Sequence, residues 1–164
     1  MVLLIAGGVI AAVVVSVVLL SGANFTATKA SSGNVVAAGT ADITVTSPND
    51  PIVDADQMKP NSVRSGDATV TNTGARAIVS LAVKGTSAEP AVAAVLTLKI
   101  AKKSDATVVP YNGPIAGATA INLGTSSSGQ AITWTLTLSM PATVDPALGG
   151  KKMPTDFEWT ARTP

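Results

Sequence analysis

Residues 132–140 read Ile-Thr-Trp-Thr-Leu-Thr-Leu-Ser-Met, so apolar and hydroxyl side chains alternate without interruption. Successive side chains of a β-strand point to opposite faces, and this period therefore predicts a strand with one buried and one solvated face. Residues 155–160, Thr-Asp-Phe-Glu-Trp-Thr, repeat the pattern with aromatic side chains on the inner face. The two stretches indicate a fold built from half-buried strands.

Shorter alternating runs predict further strands over residues 41–46, 67–73, 77–84, 95–101 and 121–123. Residues 107–109 are expected to extend a hairpin, and the alanine-rich residues 89–94 predict one helical turn. Because turn signals separate the strands and no long segment has a helical period, we expect an all-β fold, an antiparallel β-sandwich of jelly-roll or immunoglobulin-like type. The inward positions predict a core made of Ile43, Val45, Val70, Leu81, Leu96, Leu98, Ile132, Trp134, Leu136, Phe157 and Trp159.

The N-terminus is apolar from residue 2 to residue 20, and the first charged residue is Lys29. As a helix these residues would span about 28 Å, close to the thickness of a bilayer core. We therefore expect residues 1–23 to be a hydrophobic helix that precedes the β-domain. It is either a signal peptide cleaved between Ala23 and Asn24, where small residues precede the junction, or a retained membrane anchor.

The part after this helix is expected to be exported, so the protein is predicted to be secreted or at the cell surface, or in the membrane if the helix is retained. Residues 24–40 are mostly small and polar and predict an extended arm, with Phe25, Val35 and Val36 as its larger apolar side chains. Residues 41–164 form the predicted β-domain.

Composition excludes several classes of chemistry. The chain has no His and no Cys, which removes the usual zinc ligands, a Ser-His-Asp triad, a thiol nucleophile and disulfides. Its 11 Lys and Arg residues against 10 Asp and Glu residues give a net charge of +1, which argues against a nucleic-acid partner. We expect neither an enzyme nor a cofactor.

Two groups of carboxylates resemble a metal site and a catalytic site. Asp50, Asp54 and Asp56 would supply oxygen ligands for Ca²⁺, but their spacing does not fit an EF-hand loop, and a solvated loop is the favoured interpretation. Asp156 and Glu158 share a strand face about 7 Å apart, a separation that glycosidases use. Alternating surface charge on a strand explains this pair more simply.

Lysines cluster at Lys99, Lys102 and Lys103, and again at Lys151 and Lys152. Such groups would attract anionic polymers or lipid headgroups. We expect instead that they are solvated hairpin ends that discourage edge-to-edge pairing of sheets.

An ordered set of short motifs resembles the TasA/CalY (camelysin-like) family of exported proteins. The motifs are Phe25-Thr26-Ala27, Ala38-Gly39-Thr40-Ala41-Asp42-Ile43, Met58-Lys59-Pro60-Asn61-Ser62, Val70-Thr71-Asn72-Thr73-Gly74, Gly150-Lys151 and Asp156-Phe157-Glu158-Trp159-Thr160-Ala161. Their order agrees with the family over nearly the whole exported chain. Two features depart from it: the acidic residue at the mature start is missing, and Asn61-Ser62 replaces a Gly-Asp pair.

The resemblance implies a jelly-roll-like sandwich that polymerises into extracellular matrix or surface fibres after processing by a SipW-type signal peptidase. Its partners would be further copies of itself and the peptidase, and its N-terminal strand, anchored by Phe25, Val35 and Val36, would be donated to the next subunit. The metallopeptidase activity attributed to some members is not expected here, because the chain lacks His and Cys. Two alternatives stay open: a membrane-anchored surface domain, and a type IV pilin-like subunit whose apolar helix packs in a filament core.

Overall fold

A computed structural model describes residues 26–30 and 41–164 of the chain. The predicted helix over 1–23, the cleavage position between Ala23 and Asn24, and the predicted anchors Phe25, Val35 and Val36 lie outside the described residues. Within the described part of the chain, no helix has the length and apolar character needed to cross a bilayer.

The described residues are mostly β-structure. The strands are β1 (Thr26–Ala30), β2 (Ile43–Thr46), β3 (Val63–Asn72), β4 (Ala77–Lys84), β5 (Thr97–Lys102), β6 (Tyr111–Pro114), β7 (Ile121–Ser126), β8 (Ala131–Ser139) and β9 (Asp156–Arg162). One short helix, α1 (Pro90–Val95), and the 3₁₀ turns Thr86–Ala88, Ile115–Gly117 and Pro146–Leu148 connect them.

The strands form two antiparallel sheets. The four-stranded sheet has the order β1-β9-β4-β7, and the five-stranded sheet has the order β2-β3-β8-β5-β6. Every strand pairing is antiparallel. The all-β class with antiparallel sheets, predicted from the alternating sequence, is confirmed.

Strand β8 shows how the alternation builds the centre of the five-stranded sheet. Trp134, Leu136 and Leu138 are buried on its inner face. On its outer face, the Thr133 hydroxyl lies 2.8 Å from that of Thr69, which is its register partner in β3. Cross-strand pairs of this kind, repeated along a ladder, hold neighbouring strands in one register.

Both sheets contribute to one hydrophobic core. Nine of the residues predicted for it are buried, namely Ile43, Val70, Leu81, Leu96, Leu98, Trp134, Leu136, Phe157 and Trp159. Val45 and Ile132, also predicted for the core, are only partly buried. Val45 lies on a four-residue edge strand, and Ile132 borders a small opening beside Leu123 of β7.

Several predicted elements differ from those observed; among them, β2 begins at Ile43 rather than residue 41, and β7 ends at Ser126 rather than residue 123. Residues 107–109 are not a strand, because the backbone N–H of Lys102 donates to the carbonyl of Val108 and holds them in a turn. The partner of β5 is instead β6. Strand β5 begins at Thr97 rather than residue 95, since α1 extends to Val95, and β3 begins at Val63 rather than residue 67.

A long loop over residues 47–62 packs into the core although it has no regular structure. Ile52, Val53 and Met58 are buried in it. The loop approaches β3 so closely that a Cβ on Gly66 would lie 1.6 Å from the carbonyl oxygen of Ile52. Gly66 therefore lets this loop lie against the inner face of β3.

Candidate strand-exchange site

Strand β1 lies at an edge of the four-stranded sheet. Among the described strands its backbone pairs with β9 alone, from Thr26 opposite Arg162 to Ala30 opposite Glu158. These residues belong to the predicted arm of residues 24–40. The arm therefore contributes an edge strand, which is the position from which a strand leaves or joins a sheet most readily.

The neighbour of β1 carries part of the aromatic core. Phe157, Trp159 and Ala161 of β9 are all buried. On its other side β9 is paired with β4 from Asp156 opposite Lys84 to Arg162 opposite Ile78. Because β4 supports β9 along its whole length, the sheet retains β9 when β1 leaves, but one edge of β9 then lacks a partner.

The sequence of β1 is Thr-Ala-Thr-Lys-Ala, which contains no large apolar residue. What the structure describes of its pairing with β9 is a ladder of backbone groups. Backbone hydrogen bonds do not depend on which copy of the chain supplies them. Strand β1 is thus suited to exchange between copies.

Hydrogen bonds from protein groups hold two carboxylates of the acidic loop that would supply ligands to Ca²⁺. Asp54 accepts hydrogen bonds from Arg64 (3.0 Å) and from the backbone N–H of Asp56 (2.8 Å). Asp56 accepts from the backbone N–H of Met153 at 2.8 Å, and Asp50 is exposed. Among the described residues no cluster of three or more acidic side chains suited to a metal ion occurs.

Arg64 fastens this loop to β3. Its Nη1 atom donates to the Asp54 carbonyl at 3.1 Å and to the Asp56 carbonyl at 2.8 Å, in addition to the Asp54 carboxylate. One guanidinium nitrogen thus holds both backbone and side chain of the loop. This arrangement fixes the position of the loop beside the first half of β3.

The paired carboxylates of β9 do not form an isolated acid pair. Glu158 makes an ion pair with Lys84 of β4 at 3.1 Å, and Asp156 is exposed at the start of the strand. An ion pair on the outer face of a sheet is ordinary surface chemistry.

The lysines lie at the ends of strands and in loops. Lys103 contacts Asp67 at 2.6 Å and Lys151 contacts Glu89 at 3.2 Å, while Lys99 and Lys152 are exposed and Lys102 is partly buried. The hydrogen bonds that Lys103 and Thr135 donate to the Asp67 carboxylate lower its pKa below the ordinary value of 3.8. This cluster ties the β5–β6 turn to the outer face of β3 and β8.

A cleft lies beside the first half of β3. Strand β8 pairs with β3 from Val63 onward, whereas β2 pairs with it only from Thr69 to Asn72. The cleft has a volume of about 380 Å³ and is lined by Asn49, Pro51, Ile52, Val53, Asp54, Arg64 and Ser65. Across this cleft, the 47–62 loop faces the first half of β3. Among the described strands, that half of β3 is paired with β8 alone.

The chain matches no protein-family model, no curated protein and no solved structure. A proposal about its function therefore has to be argued from the geometry of the described residues. They bring together an edge strand from the N-terminal arm, a supported neighbour strand, and a cleft along a half-paired strand.

The cleft and the role of Arg64 were not predicted from the sequence. Gly66 was the available signal, because an isolated glycine within an alternating strand often marks a close approach of another backbone. The role of Arg64 could not be predicted, because its three acceptors belong to a loop whose sequence has no hydrophobic periodicity.

Proposed function

We propose that this chain is an exported structural subunit of extracellular matrix or surface fibres, and that it polymerises by donating its N-terminal strand to a neighbouring copy. The observation that supports this most is the position of β1. It comes from the segment ahead of the domain, it pairs with one of the described strands only, and its sequence has no large apolar residue.

Strand donation is a head-to-tail contact. The surface that gives the strand differs from the surface that accepts it, and such a contact generates an open filament when the rotation between copies does not close a ring. The accepting subunit gains a strand through main-chain hydrogen bonds, which is the physics of β-augmentation. Each copy can donate and accept once, which is what a linear fibre needs.

Two further features fit the proposal. Two antiparallel sheets that share one core support a β-sandwich of jelly-roll or immunoglobulin-like type. An apolar helix over residues 1–23 would direct export, and cleavage between Ala23 and Asn24 by a signal peptidase would free the arm. Phe25, Val35 and Val36 are the proposed anchors of the donated segment, and no cofactor or catalytic step is part of the function.

The length of the apolar run from residue 2 to residue 20 favours a second candidate. If the helix is retained, the chain is a membrane-anchored surface domain or a pilin-like subunit with the helix in the filament core. Mass spectrometry of the protein from its cell surface separates the candidates. A mature start near Asn24 supports strand donation, and an intact N-terminus supports retention.

A deletion tests the proposal directly. The full chain and a variant lacking residues 26–34, which keeps the junction at Asn24, are expressed with their leader, and the exported proteins are collected. We expect fibres from the full chain and none from the variant, with both showing a cooperative thermal transition. The variant can accept but not donate, so a small fraction of it should shorten the fibres of the full chain. Normal fibres from the variant alone would refute strand donation.

A further inference from the structure

We propose that the cleft beside Val63–Ser65 accepts the N-terminal strand of a second copy. This inference rests on the proposed function and names its acceptor site. The occupant is residues 26–30 of the neighbour, and the contact is an added strand along the half-paired part of β3.

The backbone of β3 is available there. From residue 63 to residue 68 its ladder to β8 is complete, but β2 begins to pair only at Thr69. On the open side, the described contact to this backbone is a side-chain one, from the Ser47 hydroxyl to the carbonyl of Asp67 at 2.9 Å. A strand the length of β1 matches the open stretch, since both advance about 3.4 Å per residue.

An apolar contact is also available. Val63, at the start of this stretch, is 64% exposed, the most among the large hydrophobic residues of the described chain. Pro51 lines the cleft, as does Arg64, which follows Val63 in the chain. An added strand would cover Val63, and burying an apolar side chain favours association.

The charge of the cleft complements that of the donated strand. Asp50 lies between two lining residues, is exposed, and makes no ion pair with a residue of the range 41–164. Lys29 of β1 is the only charged residue among residues 1–41. A strand that brings Lys29 of the second copy to the rim of the cleft therefore meets the exposed carboxylate of Asp50.

Strand donation exchanges one backbone ladder for another. The ladder that β1 leaves on its own β9 is replaced by a ladder of similar length on β3 of the neighbour. Burial of Val63 and the pair between Lys29 and Asp50 are additional to that replacement. These two contacts offset part of the free-energy cost of bringing two copies together.

The test uses matched variants of the full chain, with the exported proteins compared by their critical concentration for polymerisation. Val63→Lys places a charge at the proposed contact, and Val108→Lys places the same charge at another exposed valine, on the turn between β5 and β6. We expect V63K to raise the critical concentration at least about tenfold, from the loss of one buried apolar side chain. V108K should polymerise like the unmodified chain.

A charge exchange tests the pairing itself. K29E and D50K should each raise the critical concentration about two- to fivefold at low salt, as expected for one exposed ion pair, and K29E/D50K should restore it. Failure of the double variant to recover would overturn the pairing of Lys29 with the cleft, and with it the inference.

The remaining outcomes separate this inference from the proposed function. If the deletion of residues 26–34 abolishes fibres but V63K polymerises like V108K, the strand is donated to another site and this inference alone falls. If V63K lowers the melting temperature of the single chain without changing polymerisation, the chain covers the cleft itself, which also overturns the inference. If the deletion variant forms fibres, both fall.

Discussion

Thr28 and Thr160 lie directly opposite each other in the antiparallel ladder between β1 and β9. On its other side, Thr160 lies opposite Ser80 of β4. The strand that carries Thr160 is therefore paired on both sides, while the strand that carries Thr28 has a partner on one side only among the described strands. The N-terminal segment completes a sheet that stays supported without it, which is the arrangement that strand donation requires.

Asp67 should make the free energy of unfolding depend on pH. Its pKa is lowered in the folded chain, first by the hydrogen bond from Lys103 and then by that from Thr135. A lowered folded pKa stabilises the protein above the unfolded pKa, and that stabilisation is lost as the pH falls through the folded pKa. We expect Asp67→Asn to cost about 1 kcal/mol near pH 6 and progressively less below about pH 4.

Urea denaturation across this pH range measures the difference between the two proteins. Thr135→Val removes one of the two hydrogen bonds that lower this pKa, so in that background the cost of Asp67→Asn should be smaller and its loss should be complete at a higher pH. A cost of Asp67→Asn that is constant from pH 3 to pH 7 would contradict the assignment of the stabilisation to the ionised carboxylate.

Gly66 should be among the most sensitive positions of β3. A Cβ there would meet the carbonyl oxygen of Ile52 at 1.6 Å, and a backbone atom cannot turn aside as a side chain can. We expect Gly66→Ala to lower the free energy of unfolding by about 1–3 kcal/mol or more. Ser65→Ala, one residue away and exposed, removes a surface hydrogen bond with Thr137 and should lower it by less than about 1 kcal/mol. Equal effects would contradict the close approach of the 47–62 loop.

Arg64 should control the mobility of the 47–62 loop. All three contacts, to the Asp54 carboxylate and to the carbonyls of Asp54 and Asp56, come from Nη1. A lysine Nζ lies one bond closer to the backbone than this atom, so lysine cannot place its ammonium there without moving the chain. In Arg64→Lys, amide hydrogen exchange over residues 52–58 should become faster, with little change in β8. Arg76→Lys, at an exposed arginine, is the control. If both variants exchange alike, Arg64 does not hold the loop.

The strands with clear alternation were predictable, and the irregular parts were not. Strand β4 has the predicted bounds, and β8 and β9 lie within two residues of theirs, because one buried face imposes a period of two on the sequence. Strand β6 was missed because Asn112, Gly113 and Pro114 resemble a turn. It is a strand because β5 offers a free edge there.

The site was only partly predictable for the same reason. The residues of β1 fell within the predicted arm, since the sequence there is extended and polar. The cleft depends on contacts between residues distant in the sequence, such as that of Arg64 with Asp54 and that of Gly66 with Ile52. Loop 47–62 has no periodicity that reveals its buried residues, so neither contact could be read from it.

One measurement tests strand donation most directly. The chain has no cysteine, so the pair Thr28→Cys and Thr160→Cys would form a single disulfide that locks β1 to its own β9. The matched control is Thr69→Cys with Thr133→Cys, a register pair between β3 and β8. We predict that the oxidised T28C/T160C chain forms no fibres, that reduction restores them, and that the control forms fibres in both states. Fibres from the oxidised, locked chain would contradict the account.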